Sequence, residues 1–433
     1  MDLLMDTICV VDAEGRYVFV SAACESLFGY TREELIGRSM IELVHPDDRE
    51  RTLAAAANVM RGQSHIHFEN RYVRKDGRIV HIMWSARWSE PDRVRLAVAR
   101  DVTALKRAEQ TQNAIYRIAD AAHGVAGLPT LCRRIHRIIG ELLPADNFFV
   151  ALYDAGGKTL SFPYYFVGKE VQELESQPLD AGTPIARVIE SGEALLADIE
   201  AGEYDVREDA DWLGVPLRSR RTVMGALVVQ TCLHDARYSE DDKALLQFVS
   251  TQVADAILHK QAESRLRHMA LYDALTDLPN RNLFHDRLDT ALKRARRDRE
   301  QLALLYLDVN EFKHVNDEYG HEAGDALLRE VAQRLSGCIR ASDTVGRMGG
   351  DEFTIVLNNV QGVECVDGVC AKLQAALDAP FELNGQPMTI SASIGFAVYP
   401  EHGDTKEQLL RHADASMYAA KRVVDHTRIL KEG

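Results

Sequence analysis

The chain has 433 residues, 46% of them hydrophobic and 27% charged, with a formal net charge of −15 at pH 7. Because one core rarely grows beyond roughly 250–300 residues, this length predicts several domains, and the acidic balance argues against non-specific binding to nucleic acid, which needs Lys and Arg against phosphates. No run approaches the roughly 18–20 apolar residues of a membrane span, and the cysteines are scattered, so we expect reduced thiols and a cytoplasmic protein.

The first hundred residues carry the pattern of a small sheet with short helices. Apolar residues 8–11 and 17–20 bracket a Glu14-Gly15 turn, which predicts a β-hairpin. Thr31 followed by Glu34 predicts a helix that begins with a capping box. Further strands are expected at residues 68–72, 79–84 and 94–98, followed by a segment at residues 100–109 that runs into a helix.

Three short motifs accompany this order of elements. They are Phe28-Gly29-Tyr30, His45-Pro46-Asp47-Asp48 and Asp101-Val102-Thr103. Together with the strand order they resemble a PAS domain, and the resemblance predicts a PAS sensor domain over residues 1–110. A small α+β domain without a sensory role is the alternative. No residue pattern identifies the ligand of this module.

The next segment is framed by helices. An amphipathic stretch at residues 115–143 precedes strands at 148–153 and 223–230, and a long helix begins at Ser239. This order resembles a GAF domain, so we expect a second sensor module over residues 111–260. Its ligand is likewise not identified by the sequence.

The long helix forms a predicted linker at about residues 239–270. Its apolar residues are spaced three and four apart, with an interruption at Lys260; they are Leu246, Val249, Val253 and Ala256, resuming at Leu266 and Met269. Two interpretations of this seam stay open. It forms a short dimeric coiled coil with a hinge at the interruption, or it packs the helix on its own domain.

The chemistry of the chain is concentrated in its last third. An apolar run at residues 302–309 predicts a buried strand in which Asp308 reaches the sheet edge, and residues 310–317 begin a helix whose free N–H groups suit phosphates. A Gly349-Gly350 turn between two β-like runs predicts a hairpin with Asp351 and Glu352 at its tip. Two carboxylates on adjacent strands are typical ligands of Mg²⁺, which leaves coordination sites for substrate phosphates.

Residues 349–353 read Gly-Gly-Asp-Glu-Phe, and further motifs stand around them in a fixed order. They include residues 273–281, 312–317, 320–325, 393–395 and 413–421. This pattern resembles the GGDEF-type diguanylate cyclases over about residues 267–425, which predicts such a domain over residues 261–433. The resemblance implies condensation of two GTP molecules to cyclic di-GMP and two pyrophosphates.

The resemblance also implies a role for each matching residue. The metal ligands for Mg²⁺, or alternatively Mn²⁺, would be Asp308, Asp351 and the carbonyl of Val309, with Asp351 and Glu352 as catalytic residues. The substrate-binding residues would be Lys313, Asn316, His321, Asp325, Gly349, Gly350 and Lys421, with Asn316 and Asp325 reading guanine. Arg340 and Asp343 match the RxxD site at which cyclic di-GMP acts as a feedback inhibitor.

The expected fold class is a mixed α+β and α/β multidomain protein, in which a PAS fold and a GAF fold precede a nucleotidyl-cyclase-like domain with a central, mainly antiparallel sheet flanked by helices. Because the product contains two nucleotides, a homodimer is expected. One departure is notable: residues 423–426 lack the usual glycine, and Asp425 stands where a phosphate-binding Arg is often found. A catalytically weak GTP- or product-binding module, or the front half of a synthase–phosphodiesterase, is therefore the alternative.

Overall fold

The computed structural model describes residues 6–63, 65–199, 210–219, 222–231, 237–383 and 386–432, and among these the side chains of residues 65, 66, 199, 210, 383, 386 and 423–432 are not described. The chain divides into two compact units, Met1–Lys260 and Gln261–Gly433. Among the helices in the described ranges, none is both long enough and apolar enough to cross a membrane. Each unit is built around antiparallel sheets with helices, so the expected mixed fold class is confirmed.

The N-terminal domain is a five-stranded antiparallel sheet. Its elements are β1 (Thr7–Asp12), β2 (Tyr17–Val20), α1 (Cys24–Phe28), α2 (Arg32–Leu35), α3 (Arg49–Met60), β3 (His65–Val73), β4 (Ile79–Ser89) and β5 (Val94–Asp101). The strand order is β2-β1-β5-β4-β3. The predicted hairpin is confirmed in β1 and β2, and Thr31 and Glu34 form both hydrogen bonds of the predicted capping box.

The second domain of this unit has a larger sheet between helices. Its elements are α4 (Thr103–Gly124), α5 (Leu128–Ile139), β6 (Asn147–Asp154), β7 (Thr159–Val167), β8 (Glu170–Gln172), β9 (Gln177–Pro178), α6 (Pro184–Ser191), β10 (Leu195–Ile199), β11 (Ala210–Ser219), β12 (Thr222–Thr231) and α7 (Glu240–Leu271). The order is β10-β11-β12-β6-β7-β8, with β9 paired to β7. The amphipathic stretch forms two helices, because Gly127 is extended and Pro129 lies in the first turn of α5.

The apolar seam of α7 is not available to a partner over most of its length. Leu246, Val249, Val253 and Ala256 are buried in the core formed by α4, α5 and the sheet of the second domain. Of the two interpretations, packing of the helix on its own domain is the one observed for these four residues. The helix also continues through Lys260 without a break, so the interruption of the seam is not a break in the backbone.

The C-terminal unit places one buried strand at the centre of its sheet. Its elements are α8 (Arg281–Asp298), β13 (Gln301–Val309), α9 (Phe312–Tyr319), α10 (His321–Cys338), β14 (Thr344–Gly349), β15 (Glu352–Val360), α11 (Val363–Asp378), β16 (Phe381–Leu383), β17 (Gln386–Met388), β18 (Ala392–Tyr399) and α12 (Lys406–Glu432). The order β14-β15-β13-β18 is antiparallel throughout. Alternate residues of β13 enter two cores, one with α10 and α11 and one with α8 and α12.

Candidate active site

Two carboxylates meet where β13 ends. Asp308 pairs across the sheet with Glu352, and the N–H of Val309 donates to the carbonyl of Asp351 at 3.2 Å. This pairing brings the Asp351 side chain close to Asp308. Burial raises the pKa of Asp351, and the negative charge of Asp308 raises it further. The two acids predicted to cooperate therefore share one cleft.

The hairpin that carries Asp351 needs glycine at its turn. Gly349 and Gly350 have φ of 141° and 55°, in the region that residues with a side chain rarely adopt. The Arg347 guanidinium clamps this turn, since its Nε and Nη2 donate to the carbonyl of Gly350 at 3.0 and 2.7 Å. The turn is thus fixed from both the backbone and a neighbouring side chain.

Arg347 is tied in turn to the start of the domain. Its Nη1 donates to Asp273 Oδ1 at 2.8 Å. Burial alone would raise the pKa of Asp273, but hydrogen bonds from Arg347 and Thr276 outweigh it and lower the pKa. Sequence reasoning gave neither residue a role. The only available signal was that Asp273 begins one of the motifs around the glycine turn.

Lys421 reaches into the cleft from α12. Its Nζ lies 2.5 Å from Asp308 Oδ1, so it neutralises part of the charge of the acidic pair. The residues beyond it, 423–426, lie outside the described side chains, although the backbone of α12 remains helical through Glu432. The turn expected from the usual glycine is therefore replaced by helix.

Glu352 has a defined partner on the same sheet. The Tyr306 hydroxyl donates to its Oε2 at 2.9 Å. Burial and the adjacent carboxylate raise the pKa of Tyr306, which keeps the phenol protonated as a donor. Tyr306 was not singled out in the sequence, because its position in the apolar run indicated only a core residue.

The predicted guanine-reading residues lie at the junction of α9 and α10. A Cβ on Gly324 would lie 2.0 Å from Asn316 Oδ1, so the glycine permits the Asn316 side chain to rest against α10. Asp325 follows directly and is exposed, as are His321 at the first residue of α10 and Lys313 on α9. These four residues thus lie on α9 and the first two turns of α10, beside the loop that follows β13.

The RxxD residues occupy a different place. Asp343 accepts from the N–H of Arg340 at 3.2 Å and from the N–H of Asn358 at 3.0 Å, which holds the turn between α10 and β14. Arg340 lines an open groove of about 1030 Å³ together with Arg287 and Arg294. Asp286, Glu300 and Glu364 line the same groove, so its three arginines are matched by three acids. The two residues of the motif therefore differ in their surroundings: Asp343 stabilises the turn, and Arg340 lines the groove.

The family model described as "Diguanylate cyclase, GGDEF domain" matches residues 270–425. Residues 270–425 are a GGDEF domain. A PAS fold matches residues 17–96 and a GAF domain residues 125–258, in the predicted order.

Relatives of the GGDEF domain include named cyclases. Diguanylate cyclase TpbB of Pseudomonas aeruginosa is 41% identical over 202 residues, which cover 46% of this chain and 45% of TpbB. The bifunctional diguanylate cyclase/cyclic di-GMP phosphodiesterase MucR of the same organism is 44% identical over 161 residues, 37% of this chain and 23% of MucR. A solved structure of the TpbB GGDEF domain is 42% identical, with a TM-score of 0.35, over 37% of this chain and 99% of that one. The chain spans less than half the length of these curated relatives.

Proposed function

We propose that the protein is a diguanylate cyclase that condenses two GTP molecules to cyclic di-GMP and two pyrophosphates. The observation that carries the proposal is the shared cleft of Asp308 and Asp351, at the point where β13 ends and α9 begins. The N-terminus of α9 has no side-chain cap, so its first N–H groups are available to phosphates. GGDEF relatives that are named diguanylate cyclases support the same activity.

The residues of the cleft fit a divalent cation. Two carboxylates and the carbonyl of Val309 are hard oxygen donors, the kind that Mg²⁺ and Mn²⁺ prefer. Among the described residues no group of three or more acidic, His or Cys side chains surrounds one point, so substrate phosphates would have to complete the coordination of the cation. When bound, the metal would lower the pKa of the attacking 3′-hydroxyl and stabilise the charge on the triphosphate.

The chain's own side chains position the substrate. Asn316 and the Asp325 carboxylate would accept or exchange hydrogen bonds with the guanine edge, which offers donors that adenine lacks. Lys313, Lys421 and the start of α9 would hold phosphates, with His321 at the rim. Gly349 and Gly350 let the backbone of the hairpin approach the nucleotide without a side chain between them.

A carboxylate beside the cation is suited to accept the proton of the 3′-hydroxyl. Burial and the charge of Asp308 raise the pKa of Asp351 in the metal-free protein, but a carboxylate that holds the cation would not be free to take up a proton. Glu352, fixed by the Tyr306 hydroxyl, lies on the strand beside it. We assign Glu352 to assist removal of the 3′-hydroxyl proton as the phosphodiester bond forms and pyrophosphate leaves, and Asp351 to holding the cation.

Each domain holds one GTP, so two must meet and the working form is a homodimer. The modules at residues 1–110 and 111–260 would adjust that meeting in response to their ligands. Product bound at Arg340 and Asp343 would inhibit. We place the protein in the cytoplasm, where GTP is available and where cysteines stay free, as the described ones are.

The test is to incubate the purified full chain with GTP and Mg²⁺ and to separate the products by chromatography. We expect cyclic di-GMP. GTP binding without product, in protein that is folded and dimeric, would contradict the proposal and favour the receptor alternative.

A further inference from the structure

The sheet of the PAS domain encloses a cavity of about 50 Å³. Helix α3 closes one side with Thr52, Ala55, Ala56 and Val59, whose spacing of three and four places them on one face of the helix. Phe68, on β3, adds to this apolar wall. One end of the cavity therefore suits hydrocarbon.

A buried cation faces the same cavity. Arg95 is 7% exposed and, like Ala97, occupies an inward-facing position of β5. Among the described residues no carboxylate contacts its guanidinium, and the acceptor for Nη2 is the thioether sulfur of Met40 at 2.6 Å. Burial lowers the pKa of Arg95, but arginine stays charged in proteins. A full positive charge is thus buried with only a weak acceptor beside it.

A second polar group on the cavity wall is also unsatisfied. The Tyr17 hydroxyl is buried and forms no hydrogen bond of good geometry, and its neighbour is the hydroxyl of Tyr72, another residue of the cavity wall. Burial keeps the pKa of Tyr17 well above its ordinary value, so it remains a neutral donor. The other polar groups satisfy one another: Trp84 Nε1 donates to Asn70 Oδ1 at 2.8 Å, and Asn70 Nδ2 donates to Thr52 at 2.9 Å. Arg95 and Tyr17 are therefore the donors that a ligand in the cavity would meet, in place of the poorly aligned Tyr72 contact of Tyr17.

We propose that this cavity binds a short-chain monocarboxylate, with its carboxylate on Arg95 and the Tyr17 hydroxyl and its alkyl end against α3. A single cation favours a single negative charge, because a second one would be buried without a partner. This argues against phosphate and dicarboxylates. A water needs about 10–15 Å³ of such volume, so the cavity admits only a few heavy atoms.

Propionate is the probe, titrated into the full chain by calorimetry and followed by thermal melting. We expect saturable binding and a higher melting temperature, and neither effect with the uncharged isostere propionamide. Arg95→Met should weaken propionate binding at least tenfold and melt at a higher temperature than wild type without ligand, because the unpaired charge is gone. Arg78→Met, at a mostly exposed arginine of the same domain, is the matched control and should bind normally.

Tyr17→Phe provides an independent variant that removes only one hydroxyl. It should weaken propionate binding several-fold whether or not Arg95→Met folds. Absence of saturable binding of acetate, propionate and butyrate to wild type would overturn the proposal. So would equal binding of propionamide, or unchanged propionate affinity in Tyr17→Phe or in folded Arg95→Met.

Discussion

The GGDEF cleft and the PAS cavity each hold charge that the protein itself balances only in part, and the signs are opposite. In the cleft, Asp308 and Asp351 face one contact from Lys421, at the open end of a strand. In the cavity, the Arg95 guanidinium contacts the thioether sulfur of Met40, on the inward face of the sheet. We propose that the acidic site takes up a cation and phosphates, whereas the buried arginine of the cavity takes up one small anion. The difference indicates chemistry in one unit and sensing in the other.

Removing one carboxylate tests the role of the acidic site most directly. Asp308→Asn or Asp351→Asn should lower cyclic di-GMP synthesis by at least about 100-fold, the scale of losing a preorganised charge at a transition state. Asp351→Asn should not lower the metal-free melting temperature at pH 7, because the variant also removes repulsion. Asp367→Asn, an exposed acid on α11, should retain wild-type activity. Near-normal turnover in either cleft variant would refute the metal assignment.

The proposed nucleotide pocket recognises guanine by neutral and charged hydrogen bonds at an exposed surface. Asn316→Ala and Asp325→Ala should each cost about 1–3 kcal/mol of GTP recognition, as expected for an unpaired polar contact. Competition of ATP against GTP in the synthesis assay measures it. If both variants discriminate as wild type does, guanine is read elsewhere.

The groove at Arg340 differs from the Arg95 site, because its three arginines share the lining with three acids. Arg340→Ala should weaken cyclic di-GMP binding by about 1.5–3 kcal/mol, the net value of hydrogen bonds to a charged group, and raise accumulated product without changing the initial rate. Asp343→Ala is the poorer test, because Asp343 holds the turn. Arg329→Ala, on the exposed face of α10, should behave as wild type. Calorimetric binding that is unchanged in Arg340→Ala would exclude this site.

The burial of helix α7 changes along its length, and we expect substitutions in this helix to have the smallest effect on activity. Its seam is buried up to Ile257, but Leu266 and Met269 are 66% and 64% exposed. Leu266→Glu with Met269→Glu should lower activity per protomer at nanomolar concentration, with recovery at micromolar concentration, as loss of tethering predicts. Gln261→Glu adds a charge to the same exposed stretch and should have no effect. A monomeric variant with full nanomolar activity would contradict a dimer requirement.

How far the sequence predicts the molecule depends on whether a residue belongs to a local pattern. The hairpins, the buried strand β13 and the glycine turn were predictable, because alternation, apolar runs and glycine pairs are short-range signals. The fate of the α7 seam was not, since the same spacing serves a coiled coil or a domain core. Arg95 gave no signal at all: only the fold shows that a charged residue takes an inward position of a strand. The ion pair of Arg347 was not predictable for a similar reason, because its partner Asp273 lies 74 residues away in the chain.

In the proposed mechanism, Asp308 and Asp351 together hold the divalent cation used in the condensation. Binding of Mn²⁺, measured by electron paramagnetic resonance at pH 8 with 3′-deoxy-GTP present to prevent turnover, tests it directly. Because the pKa of Asp351 is raised, we expect saturable binding that weakens as the pH falls towards that pKa, earlier than for an ordinary aspartate. In Asp308→Asn the remaining binding should be weak, and Asp351→Asn should abolish it. Mn²⁺ binding of wild-type affinity in Asp351→Asn would contradict the account.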